Sequence, residues 1–334
     1  MTRSDYSLKN QAVLIQTLVF AALTLMGSCA FASSQNEAMQ WIQKMSRAMQ
    51  ELSYQGRFVY MHNGQLESMS IVHVNDELGH RERLISLNGE AREILRDSKN
   101  LTCIWPSSKQ VVVDQANQAN NVSPIWIPED VIRLSKFYKF NMVGYDRIAD
   151  HDTVVISILP RDEFRYGMKV WLDKDTSLLV QSTVMDGKGD SVEKVMFTEL
   201  TLLDHEQQQS FSVLPKIDNS YALIRSHDFQ ESSRQLSDDK WQLTSIPGGF
   251  WLTSSFRKKM SASDDFTQQM IFTDGMASVS VFIEQTNSDQ LSGESSMGAV
   301  NAFGTRYKDF TITAIGEVPA VTVRQMAESV VYLN

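Results

Sequence analysis

From Tyr54 onward the chain is a succession of short runs of alternating apolar and polar residues broken by turn residues, and this rhythm commits it to antiparallel sheet. Arg57 to Met61 and Leu66 to Val74 flank Asn63-Gly64, a dipeptide suited to the two-residue hairpin whose turn residues both take positive φ. Further strands are expected at 80–87, at 91–96 after Asn88-Gly89, at 101–105 and at 110–114, followed by a polar loop over 115–123. Pro124 to Pro128 reads as an apolar loop carrying Trp126, and 129–138 as a short helix; strands resume at 140–145 and 153–159. Between Pro160 and Gln181, Met168, Val170 and Leu172 alternate with Lys169, Trp171 and Asp173, and the polar turn Lys174 to Thr176 leads into Leu178 to Val180. A strand over 191–202 closes this series.

One helix precedes all these strands. Ala38, Trp41, Ile42, Met45, Ala48, Met49 and Leu52 recur at three- and four-residue spacing, with Ser34 and Glu37 as a capping box. Consecutive hairpins and a single long amphipathic helix predict an antiparallel sheet wrapped around that helix, with a concave face. The 334 residues exceed the roughly 100 to 200 of one domain. The polar stretch 204–220, with three successive glutamines and Pro215, marks a linker between a first domain, 33–203, and a smaller one, 221–334. The smaller domain shows strands near 221–229, 241–244 and 250–256, a hairpin with Thr273-Asp274-Gly275 at its turn, and a closing helix with Thr322 and Gln325 as a capping box. The fold class is therefore α+β.

Residues 1–32 have the layout of a secretory signal peptide: Arg3 and Lys9, an apolar run from Ala12 to Met26, then Ala30-Phe31-Ala32. A competing reading makes Cys29 an acylated lipoprotein terminus. Cleavage after Ala32 leaves Cys103 as the only thiol, without an intrachain disulfide. A net charge of −9 without a basic stripe argues against a nucleic-acid partner; Arg257-Lys258-Lys259 is the one short basic run. The histidines, His62, His73, His80, His151, His205 and His227, have no metal-ligand spacing, and no Gly-x-Ser-x-Gly elbow or phosphate-binding glycine loop occurs. No catalytic residues, metal or cofactor are expected.

Several ordered segments narrow this reading. Arg57-Phe58-Val59-Tyr60, Glu82-Arg83-Leu84, Leu87-Asn88-Gly89, Arg92-Glu93-Ile94, Arg147-Ile148-Ala149, Pro160-Arg161-Asp162, Arg165-Tyr166-Gly167 and Trp171-Leu172-Asp173 together resemble the RseB/MucB family. Pro247-Gly248-Gly249-Phe250, Thr273-Asp274-Gly275, Ser280-Val281-Phe282 and Gly316-Glu317-Val318-Pro319 extend the resemblance through the second domain. It implies a two-domain periplasmic protein. Its first domain would be LolA/LolB-like, a curved antiparallel sheet or open half-barrel wrapped on helices. Its second would be a smaller α+β domain with an antiparallel sheet. The implied role is to bind the periplasmic part of a membrane-spanning anti-sigma factor of the RseA/MucA type and shield it from regulatory proteolysis. That would restrain the envelope-stress factor sigma-E, and lipid or lipopolysaccharide would release the grip. The alternative is a periplasmic carrier of lipid or lipoprotein without an anti-sigma partner. A homo-oligomer stays open.

Candidate site residues follow from these expectations. Trp41, Met45 and Met49 on the helix, with Met69, Ile71 and Trp105 on strands, are candidates to line a lipid slot; ordinary core packing is the other reading of each. Arg161, Arg165 and Tyr166, beside Asp162 and Glu163, are candidates for the partner or a lipid headgroup, against a set of surface ion pairs among themselves, each worth little. Phe250, Trp251 and Arg257 are candidates in the second domain, because aromatic and Arg side chains dominate interface hot spots.

Overall fold

This structure, a computed structural model, describes residues 34–77, 79–115, 127–128, 130–211, 217–225, 234–235, 240–259, 266–286 and 291–333. The expected leader with Cys29, Trp126 and most of the polar loop 115–123 lie outside the described residues. Helix α1, residues 34–51, runs into β1 (Tyr54–His62), β2 (Gln65–Asp76), β3 (Gly79–Ser86), β4 (Glu93–Arg96), β5 (Asn100–Trp105) and β6 (Gln110–Gln115). The short helix α2 (Val131–Leu134) precedes β7 (Tyr138–Ile148), β8 (His151–Pro160), β9 (Gly167–Asp173), β10 (Leu179–Met185) and β11 (Ser191–Leu202). The expected helix over 129–138 is thus shorter. Tyr138 and Phe140 face the core with strand alternation, and that burial draws them into β7.

Two meanders, β1–β6 and β7–β11, join because β1 pairs with β11, and the order runs β12-β6-β5-β4-β3-β2-β1-β11-β10-β9-β8-β7. Asn63 and Gly64 have φ of 49° and 73°, the turn their dipeptide predicts. At the β1–β11 joint, Gly56 leaves no room for a side chain: a Cβ there would stand 2.5 Å from the Glu199 carbonyl oxygen. The β9–β10 turn is held by the Asp173 carboxylate, which accepts bonds from the Asp175 and Thr176 N–H groups and the Thr176 hydroxyl.

The sheet wraps α1. Ala38, Ile42 and Met45 pack with Val131, Leu134 and the inward residues of β7 to β10, whereas Ala48 packs with Tyr54, Phe58, Met69, Ile71 and Leu84 of β1 to β3. A helix of this length spans about 27 Å. Its two ends can touch opposite halves of a twelve-stranded sheet only if that sheet curls around it.

After β11 the chain forms α3 (His205–Ser210), capped by Asp204 and Gln207, and then β12 (Ala222–Arg225). β12 lies parallel to β6 on the edge of the first sheet. The strand expected near 221 thus adds to the first sheet.

The second domain holds β13 (Arg234–Gln235), β14 (Trp241–Leu243), β15 (Trp251–Lys259), β16 (Phe266–Thr273), β17 (Ser278–Gln285), β18 (Gly293–Met297), β19 (Val300–Tyr307), β20 (Phe310–Gly316), helix α4 (Ala320–Glu328) and β21 (Val330–Tyr332). Its main sheet runs β13-β15-β16-β17-β20-β19-β18, with β14 and β21 paired separately. Val323, Met326 and Ala327 of α4 pack on Val281, Ile283, Ile312 and Ala314, so this domain has its own core. Pro319 stands at the N-cap of α4 without a side-chain bond, and Thr322 lies inside the helix. The hydroxyl expected to cap α4 is used elsewhere. Among the described residues no helix is long and apolar enough to cross a membrane.

Candidate functional site

A connected set of buried polar contacts lies in the seam between the two domains, and Arg165 is at its centre. The β8–β9 loop carries this residue inward until its side chain has no exposure, and the Asp274 side chain facing it is equally enclosed. Arg165 Nε donates to Asp274 Oδ2 at 2.6 Å, and its two terminal nitrogens reach Asp162 of its own loop and the Gly248 carbonyl of the second domain. The guanidinium lies 4.9 Å from the ring centre of Phe137 in the first domain and 4.9 Å from that of Phe250 in the second. A buried cation survives only when paired, and here each arm of the fork has an acceptor.

Asp274 serves both domains. Its Oδ1 accepts the N–H groups of Met276 and Ala277, which closes the β16–β17 turn, while Oδ2 accepts from Arg165 and, at 2.8 Å, from the Tyr138 hydroxyl. Burial and the neighbouring Asp274 carboxylate push the Tyr138 phenol well above its ordinary value, so it stays a donor. Gly249 lets the chain pass close to Phe137: it has a φ of +90°, and a Cβ there would stand 2.7 Å from the ring.

Further contacts line the same seam. Thr322 Oγ1 donates to the Phe164 carbonyl at 2.8 Å, which is where the expected helix cap is spent. Asn301 Nδ2 donates to the Tyr166 oxygen at 2.8 Å and to the Val318 carbonyl at 2.7 Å. The Ala299 N–H donates to Glu193 Oε1 at 3.0 Å. The Arg133 guanidinium lies 3.5 Å above the Trp251 ring centre, and Met276 packs against the first-domain core.

The seam thus brings together Arg165, Tyr166, Phe250 and Trp251 from the candidate partner set. Arg161 is exposed on the same loop, with Nε donating to the Ser135 carbonyl at 3.3 Å. Arg257 is exposed on β15, six residues beyond Trp251 or about 20 Å along an extended strand. Asp162 pairs with Arg165, and Glu163 is exposed. Residues that sequence reasoning did not assign to a site are Phe137, Tyr138, Asp274, Asn301 and Thr322. Asp274 stood out only as a turn residue, because its partner Arg165 is 109 positions away.

The candidates for a lipid slot divide differently. Met45 is buried with the α1–β7 to β10 cluster, Trp41 and Met49 pack against it, and Met69 and Ile71 belong to the β1–β3 cluster, which Met49 also touches. Trp105 is half-buried at the end of β5, opposite Gln110. Cys103 on the same strand is half-buried, and burial pushes its thiol up.

Known proteins are similar to this chain in sequence and fold. A family model described as the MucB/RseB N-terminal domain matches residues 37–216, and one described as the MucB/RseB C-terminal domain matches 235–331. The sigma factor AlgU regulatory protein MucB of Pseudomonas aeruginosa is 29% identical over 322 residues, 92% of this chain and 96% of that protein. The sigma-E factor regulatory protein RseB of Escherichia coli K12 is 24% identical over 320 residues, 95% of this chain and 98% of that protein. Among solved structures, MucB in complex with MucA(peri) is 27% identical with a TM-score of 0.66, covering 89% of this chain and 99% of that one. The Pseudomonas aeruginosa MucA/MucB complex has a TM-score of 0.68 at 27% identity, over 89% of this chain and 99% of that one. With both models matched in order and the first alone spanning more than half of the sequence, the chain belongs to the MucB/RseB family.

Proposed function

We infer that this protein is a periplasmic regulator that binds the periplasmic part of a membrane-spanning anti-sigma factor. By holding that segment it shields it from regulatory proteolysis and so restrains a sigma-E-type factor. The observation that carries this reading is the end-to-end likeness of both domains to MucB, whose solved structures include complexes with MucA and its periplasmic part. The leader over residues 1–32 supports export to that compartment.

The architecture suits a binder. Two domains with separate cores meet through hydrogen bonds, one buried ion pair, cation–ring contacts and the packing of Met276, a mixed polar and apolar seam that favours orientation over irreversible association. The apolar faces around α1 are the part of the fold where an acyl chain would be accommodated. A lipid that prefers the partner-free arrangement lowers affinity for the anti-sigma segment by linkage, with no catalytic step.

The test is calorimetric titration of the mature protein with the periplasmic part of the anti-sigma factor from the same organism. The titration is then repeated with lipopolysaccharide present. Saturable one-to-one binding, weakened by the lipid, is expected. Absence of binding, together with recovery of lipoproteins alone from a periplasmic extract, would replace the regulator by the carrier.

A further inference from the structure

The seam shows what kind of ligand its first-domain half accepts. On that half stand the Arg165 guanidinium, the Tyr138 hydroxyl and the Phe137 ring; against them the second domain sets a carboxylate (Asp274), a backbone carbonyl (Gly248) and a ring (Phe250). These are the groups of an acidic peptide with a neighbouring aromatic residue, presented here by two loops of the same chain. We propose that the surface formed by Phe137, Tyr138 and Arg165 is a docking site for a carboxylate-and-aromatic segment of the anti-sigma partner. The second domain's Asp274 and Phe250 occupy it as an intramolecular stand-in until that segment displaces them.

At the polar centre of the seam displacement exchanges like for like, and the packing given up is that of Met276 on the first-domain core and of Trp251 beneath Arg133. Each domain keeps its own apolar cluster. When the seam parts, Arg165 and Asp274 regain water, so their pairing specifies geometry more than it adds strength. An incoming carboxylate restores the Arg165 contacts, whereas an amide or an apolar group does not. Three further seam bonds, Thr322 to Phe164, Asn301 to Tyr166 and Ala299 to Glu193, do not involve the guanidinium and act as independent holds on the closed form.

This proposal rests on the reading of the protein as an anti-sigma binder, and its test separates the two. Full-length mature protein is titrated with a synthetic periplasmic segment of the anti-sigma factor. Asp274→Asn keeps an Oδ1 acceptor for the Met276 and Ala277 N–H groups but removes the competing charge; Thr322→Val removes a seam bond away from Arg165. Both are expected to raise affinity, by about threefold or more. Arg165→Met is expected to lower it by about tenfold or more, since it opens the seam but deletes the receptor. Converting the acidic residues of the segment to amides should weaken binding to the wild type and add no further loss with Arg165→Met. Opposite signs for Asp274→Asn and Arg165→Met support the site. If both raise affinity, the seam is only a latch and the docking site is wrong; if both lower it or leave it unchanged, displacement is wrong. Should Asp274→Asn lose its fold by circular dichroism, Thr322→Val decides displacement and the amide series decides the docking site. A wild type that does not bind the segment overturns the regulator reading and this proposal with it.

Discussion

Replacing Gly249 by Ala perturbs the seam at a point where the cost can be worked from geometry. With φ at +90°, a residue carrying Cβ is strained by about 1–3 kcal/mol whether or not the domains are docked. In the docked form the new methyl also stands 2.7, 2.7 and 2.8 Å from three Phe137 ring atoms. Non-bonded carbons prefer ~3.5–4.0 Å, so the ring or the loop must give by roughly 1 Å. Phe137 has little freedom to retreat, because the fully buried Arg165 guanidinium sits 4.9 Å from its ring centre and is itself 4.9 Å from that of Phe250. Overpacking of this kind adds about 1–3 kcal/mol, and only to the docked state. A double-mutant cycle with Phe137→Ala isolates that part: Gly249→Ala should cost less in the Phe137→Ala background by about 1–3 kcal/mol. Urea unfolding supplies the energies, and hydrogen exchange over 137–138 and 164–166 reports seam opening. Additivity of the two substitutions within about 0.5 kcal/mol would refute the close approach.

Other expectations concern the domains themselves. Ile42→Ala, at a fully buried α1 position, should destabilise the first domain by about 2–5 kcal/mol, read as a lower urea midpoint with exchange in β16, β17 and β20 unchanged. Asp173 should make stability acid-sensitive. Desolvation opposes its charge, but the Thr176 and His151 bonds outweigh it and hold the carboxyl below its ordinary value. Its contribution is therefore present above the unfolded value of ~3.9 and is lost as pH falls through the lower folded value. Asp173→Asn should flatten the dependence of the urea midpoint on pH in that acidic window; an unchanged slope would count against the assignment.

Much of the architecture was legible because it is written in local patterns. Asn63-Gly64, the alternation in Met168 to Asp173 and the Thr273-Asp274-Gly275 turn each specify a hairpin from a few adjacent residues, and each hairpin is present. The strand over 191–202 also stands where alternation placed it. The site was legible only as residue types. Arg165, Tyr166, Phe250 and Trp251 attracted notice as interface-like side chains, but their mutual arrangement depends on contacts across the linker. Thr322 shows why local rules failed there. Its spacing to Gln325 imitates a capping box, yet α4 begins earlier and the hydroxyl bonds to Phe164 in the other domain.

By itself the sequence determined the order of strands and turns, the amphipathic helix at the start and the family to which the chain belongs, since all three reside in short ordered segments. Tertiary structure alone decided which polar residues become buried together. Arg165 reads as part of a charged surface corner and Asp274 as a turn residue until two separately folded sheets close over them. Burial of a charge depends on what the rest of the chain packs around it, and no local spacing records that partner.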